Sequence, residues 1–228
     1  MTTQEYQIGD AYKLMQQFPD NYFDLILTDP PYGIDESNEK NATRDKICKT
    51  TDFGTYDWDK ERLLKSYFDE MLRVSKNQII FGGNYYTDYL PPTPCWIIWD
   101  KDNSGNFADV EIAYTSFKTA SRLFKYRWNG MLQGDMKHKE KRVHPTQKPL
   151  PLFTWILEKY SKPGYSILDP FCGSGTTLEA CKNLNLDCLC IDKSDQWIPY
   201  YKQRLNPNKY KVTNGKLTEY DSLMRHFK

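Results

Sequence analysis

One stretch narrows the choice of fold more than any other. The apolar run Ser166-Ile167-Leu168 leads into Asp169-Pro170-Phe171-Cys172-Gly173-Ser174-Gly175-Thr176-Thr177, and a helical pattern follows over residues 178–184. A Gly-x-Gly between a strand and a helix lets the backbone turn sharply and approach a ligand closely, because Gly173 and Gly175 carry no side chain to block it. The rest of the chain repeats the alternation of strand and helix. Apolar runs predict strands over 6–8, 25–28, 78–81, 95–99, 110–117 and 187–191, and helical spacing appears over 11–18, 60–74, 150–160 and 194–205. The clearest stripe is Leu63, Leu64, Tyr67, Phe68, Met71 and Leu72. The tail from Asn206 is expected to hold a short strand at 210–213 and a terminal helix. Strands of this kind, separated by helices or Gly/Pro breaks, form a mostly parallel sheet covered on both faces, and 228 residues suit one such α/β domain over 1–228.

Composition excludes more than it assigns. A net charge of +1 announces no nucleic-acid binder, so local charge has to be read instead. The 6 cysteines form no C-x-x-C pair, which favours reduced thiols over a disulfide framework or a metal site. No apolar run approaches membrane-spanning length and Met1-Thr2-Thr3-Gln4-Glu5 is neither basic nor apolar, so a cytoplasmic protein with no membrane association is expected.

The turn after residue 168 also speaks about its ligand. Phosphate-binding turns lack an acid at their start, whereas Asp169 would repel a pyrophosphate and attract an amine; there is also no Gly-Lys-Ser/Thr for a P-loop. Asp192 ends the next strand about 20 residues on, where an acid takes ribose hydroxyls. Adenosine joined to an amino acid and a sulfonium, S-adenosyl-L-methionine, satisfies each feature.

A second strand, 25–28, ends in Asp29-Pro30-Pro31-Tyr32. Two prolines fix φ and donate no ladder hydrogen bond, so the tetrapeptide is either a tight turn after a core strand or a rigid shelf offering a carboxylate, a carbonyl and a ring. The polar, aperiodic stretch 33–59 reads as a mobile lid or contact loop. Between Lys118 and Lys148 nine basic residues, among them Lys118, Arg122, Lys125, Arg127, Lys137 and Lys139, face only Asp135 and Glu140. Phe124, Tyr126 and Trp128 are interleaved with them, as where phosphates and exposed bases are contacted, although a solvated insertion over 118–143 would read the same way.

Asp169-Pro-Phe-Cys-Gly-Ser-Gly-Thr-Thr, Asp29-Pro-Pro-Tyr and His144-Pro-Thr-Gln-Lys-Pro149 together resemble the amino-group DNA methyltransferases of the permuted β class, in which the substrate shelf precedes the cofactor loop. The resemblance spans nearly the whole chain. It implies a Rossmann-like, S-adenosylmethionine-dependent methyltransferase sheet with one antiparallel strand, 110–117, and with Asp29 and Asp169 ending adjacent central strands. It further implies that Asp169, Phe171, Cys172, Gly173, Gly175 and Thr176 cradle the methionine part of the cofactor and that Asp192 holds the ribose. Asp10 and Ala11 would meet the adenine ring, and His144, Thr146 and Lys148 the cofactor carboxylate. Asp29, Pro30, Pro31 and Tyr32 would act on the N6 amine of an adenine flipped from double-stranded DNA, with Asp29 also beside the cofactor. Cytosine N4 and a silent DNA-binding module are the alternatives. A homodimer and a cognate restriction endonuclease are compatible partners, as are action at a nucleoid and a viral source. The short 118–143 segment departs from relatives that carry a larger recognition region.

Overall fold

Strands that read as continuous apolar runs need a cover on each face. The computed structural model, which describes residues 2–34, 61–103, 108–129, 132–143, 146–213 and 216–219, supplies it. The elements run β1 (Gln4–Ile8), α1 (Ala11–Met15), β2 (Leu25–Thr28), α2 (Lys65–Val74), β3 (Gln78–Phe81), β4 (Trp96–Asp100), β5 (Val110–Thr115) and β6 (Arg122–Lys125). Then come β7 (Trp128–Asn129), β8 (Leu132–Gln133), α3 (Leu150–Tyr160), β9 (Ser166–Asp169), α4 (Thr176–Asn183), β10 (Asp187–Asp192), α5 (Ile198–Leu205), β11 (Tyr210–Thr213) and β12 (Lys216–Glu219).

Eight strands form one sheet in the order β1-β10-β9-β2-β3-β5-β4-β6. All neighbours are parallel except β5, which runs against both β3 (Ile80↔Tyr114) and β4 (Ile98↔Ile112), as expected for that strand. β2 and β9 pair directly, Leu25 with Ile167 and Ile26 with Leu168, so the two expected loops do leave adjacent strands. Side chains alternate across the sheet. Ile26, Ile80, Leu168 and Leu189 face Ala11, Met15, Phe68, Met71 and Val74 of α1 and α2. Leu25, Leu27, Ile79 and Phe81 face Leu152, Phe153, Ile156, Leu157 and Leu178 of α3 and α4. Each such aliphatic side chain contributes roughly 1.5–3 kcal/mol by leaving water.

Where the structure differs from the periodicity, local contacts explain it. The stripe of α2 continues back through Leu63 and Leu64, yet the helix begins at Lys65, Leu64 is extended and 67% exposed. Arg62 holds that segment out, reaching Asp88 and lying 4.1 Å over the Tyr89 ring. The helix expected over 194–205 starts as a 3-10 turn, Asp195–Trp197, because Pro199 allows an α-helix only from its first turn onward. Besides β12, three strands were not expected: edge strand β6 and the small pair β7 and β8. In the tail, β12 pairs with β11 where a terminal helix was expected to begin, and residues 220–228 lie outside the described residues, as do 35–59 of the expected lid. Among the described residues no helix is long and apolar enough to cross a membrane.

Candidate active site

In a parallel sheet every strand delivers its last residue to the same edge, and here β1, β10, β9 and β2 end in acids or lead into them. Asp10 follows β1, Asp192 ends β10, Asp169 ends β9 and Asp29 follows β2. A cleft of about 350 Å³ runs over this edge, within the range for small-molecule sites. Its walls bring together Asp10, Ala11, Asp29, Pro31, Thr146, Lys148, Asp169, Phe171, Cys172, Gly173, Thr176 and Asp192. Gly175, Pro30 and Tyr32 are not among the wall residues, although each neighbours one in the chain, and His144 lies outside the described residues.

The glycine turn is built as its sequence requires. Gly173 and Gly175 both have positive φ, and a Cβ on Gly175 would sit 2.7 Å from the Tyr201 ring. The Tyr201 hydroxyl donates to the Gly173 carbonyl at 2.7 Å, and the Gly173 N–H donates to Asp192 Oδ2 at 2.9 Å. Asp192 Oδ1 accepts from the Ser194 N–H at 2.9 Å, so each oxygen, with one hydrogen bond, has capacity for another on a residue that lines the cleft. Burial pushes the Asp192 carboxyl up. Asp10 caps α1 through the Lys13 N–H at 3.0 Å and accepts from the Tyr67 hydroxyl at 2.8 Å. Asp169 is turned into the protein. It accepts from Thr28 at 2.7 Å, from the Phe171 N–H at 3.1 Å and from the Thr177 hydroxyl, and burial raises its carboxyl to about 7 against those bonds.

At the other end of the cleft Asp29 is fully engaged. Tyr32 donates its hydroxyl to Oδ1, and Lys148 Nζ lies 2.5 Å from Oδ2. Lys148 also lies 3.0 Å from Glu111 Oε2, while Lys101 pairs with Glu111 Oε1. Burial pushes both carboxyls up; for Glu111 the Lys148 and Lys101 ammoniums outweigh it and hold the group at about 2. Asp29 shares only Lys148, feels the Glu111 charge, and is raised. The Tyr32 ring stacks on Tyr85, centroids 5.0 Å apart and planes 19° apart. Gly82, with φ +65, leaves room for that ring, and the Pro31 carbonyl accepts from Tyr86.

Lys148, which the resemblance sets near the cofactor carboxylate, lines the cleft and directs its ammonium to Asp29 and Glu111. Glu111 and Lys101, and Tyr67, Trp197 and residues 61–64 of the cleft lining, carry no motif that marks them in the sequence. In the basic segment Lys118, Arg122, Lys125, Arg127, Lys137 and Lys139 are all exposed. Lys125 and Arg127, however, pair with Asp102 at 2.8 and 2.6 Å. The interleaved rings face inward: Trp128 is 8% exposed with its indole N–H on the Gln147 carbonyl, and Phe124 packs on Trp155. Among the described residues no cluster of His, Cys, Asp or Glu is placed to hold a metal.

The sheet, with β5 reversed and two acid-ended loops on adjacent strands, is that of the Rossmann-like methyltransferases. Residues 100–203 match the family model N6_N4_Mtase, a DNA methylase. The type II methyltransferase M.HpaI of Haemophilus parainfluenzae is 25% identical over 87% of this chain and 73% of its own. M.HinfI of Haemophilus influenzae is 28% identical over 88% and 69%. Among solved structures, the M1.HpyAVI-SAM complex has a TM-score of 0.53 at 22% identity, covering 89% of this chain and 98% of that one. PvuII DNA methyltransferase, cytosine-N4-specific, reaches 0.62 at 12% identity, covering 99% and 92%. The chain is thus similar, over residues 100–203 and along most of its length, to DNA methylases of the N6/N4 family.

Proposed function

We propose that the chain transfers a methyl group from S-adenosyl-L-methionine to the N6 amine of an adenine flipped out of duplex DNA. The observation that carries this reading is the placement of the Asp29 shelf and the Asp169–Thr177 turn on adjacent strands, opening into one cleft. The donor set fits the cofactor. Asp192 offers lone pairs to ribose hydroxyls, the glycine turn admits close approach, Ala11 and Phe171 give apolar walls to a purine, and Thr146 and Lys148 line the cleft where the carboxylate would lie. When bound, S-adenosylmethionine supplies a methyl group on a positively charged sulfur.

The chain's own residues then act on the amine. Its lone pair is delocalised into the ring, and the Asp29 carboxylate and Pro30 carbonyl accept hydrogen bonds from its two N–H groups, turning the lone pair toward the methyl. Tyr32 gives up Asp29 Oδ1 to the incoming amine and presents its ring for stacking. Charge-assisted hydrogen bonds contribute roughly 1.5–3 kcal/mol, whereas holding the reacting atoms in line supplies roughly 7–11 kcal/mol. Positioning therefore dominates. Flipping costs a few kcal/mol, offset by stacking and phosphate contacts from Lys118, Arg122, Lys137 and Lys139, with Lys125 and Arg127 available if they leave Asp102.

A carboxylate at position 29 favours adenine, since related cytosine enzymes usually carry serine there. Action in the cytoplasm and a cognate restriction endonuclease accompany this reading, because M.HpaI and M.HinfI are type II methyltransferases, and a homodimer would compensate for the short 118–143 segment. Incubation with tritiated S-adenosylmethionine and duplex DNA, followed by mass spectrometry of the nucleosides, should yield N6-methyladenine. N4-methylcytosine would reassign the base, and no methylated nucleoside would overturn the reading.

A further inference from the structure

Behind Asp29 the charges alternate: Asp29, Lys148, Glu111, Lys101. The row ties the end of β2, the segment before α3, the start of β5 and the residue after β4. Lys148 at its centre is 6% exposed. Such a row is a poor way to stabilise a fold, because desolvation offsets most of the attraction. Its effect falls on the carboxylate at its end.

Resting on the methyltransferase reading above, we infer that Glu111 and Lys101 are positioning residues, acting through Lys148 to aim the Asp29 carboxylate at the target amine and to set how strongly it accepts. Lys148 donates its hydrogen bond to Asp29 Oδ2 and faces Glu111 Oε2 as an ion pair at 3.0 Å, so its charge is shared between two carboxylates. With Glu111 neutral, Lys148 pairs with Asp29 alone, and Asp29 holds a proton less readily. With Lys101 removed, Glu111 draws Lys148 away, and Asp29 becomes more basic. The other titratable groups near Asp29 are Tyr32 on the shelf and Tyr85 stacked upon it. On neighbouring β9, Asp169 directs both oxygens to Thr28, Thr177 and Phe171.

The test is single-turnover methyl transfer from tritiated S-adenosylmethionine to unmethylated plasmid DNA, followed between about pH 5 and 9 for wild type, E111Q and K101M. E111Q should bind S-adenosylmethionine within about twofold of wild type, transfer roughly tenfold more slowly, and move the acid limb down by about one unit. K101M should move that limb up. Opposite shifts are not what general loosening of the fold produces. Unmoved limbs in both variants, or shifts in one direction, overturn the inference. Should E111Q fail to fold by thermal unfolding, K101M decides alone: an upward shift supports the inference, and an unmoved or downward one overturns it. Wild-type protein that transfers no methyl at any pH is a different failure, that of the methyltransferase reading itself.

Discussion

At the scale of single residues, the sheet edge concentrates carboxyl groups that the fold has displaced from their ordinary acidity, and Asp169 shows the consequence for stability. Its carboxyl sits at about 7 because burial outweighs three hydrogen bonds. A carboxyl raised in the folded state binds a proton that the unfolded chain has already lost. Its contribution to stability is therefore full below the unfolded value near 4 and is lost as pH rises to about 7. The loss amounts to at most about 4 kcal/mol for a carboxyl moved from near 4 to about 7. Burial of Glu140, also raised to about 7, acts with the same sign. Asp169→Asn keeps the shape and removes the titration. Urea unfolding at pH 5 and pH 8 should show wild type losing more stability than D169N across that interval; parallel losses would mean that Asp169 titrates normally.

At the scale of elements, the reversal of β5 does more for the site than any motif. Running against its neighbours, β5 begins where they end, so Glu111 near its start reaches the edge occupied by Asp29. The residue after β4, Lys101, arrives at the same edge because β4 runs with the majority. Continuous apolar runs made β2, β3, β9 and β10 legible in the sequence, and the acid-and-glycine punctuation marked their loops. Glu111 was not legible, since an acid at the start of a strand acquires meaning only once the strand's direction is known. β6 was hidden for another reason: at the sheet's edge its Arg122, Leu123 and Lys125 stay exposed and carry no burial pattern. Burial also ranks substitutions. Ile156→Ala in α3, fully buried against the sheet, should cost about 2–5 kcal/mol. Leu123→Thr on β6, 61% exposed, should fall within about 0.5 kcal/mol. Thermal and urea unfolding of the two variants check the contrast, and equal costs would contradict the placement of the core.

At the scale of the molecule, a chain of net charge +1 carries both a local basic surplus and a cleft ringed by acids. The surplus was legible as composition, but its aromatics were not legible as core. Phe124 and Trp128 look identical in sequence whether they face a base or the protein, and only packing against Trp155 and Gln147 decides. The two loops were legible separately, and the pairing of β2 with β9 makes them one site. The claim that this site works by aligning an amine on Asp29 is tested most directly by D29N, which preserves size while removing the charge. S-adenosylmethionine binding by equilibrium dialysis and single-turnover transfer to duplex DNA are measured on the same preparation. The account predicts binding within a few-fold of wild type and transfer slowed by roughly a hundredfold or more. Full-rate transfer by D29N would contradict it.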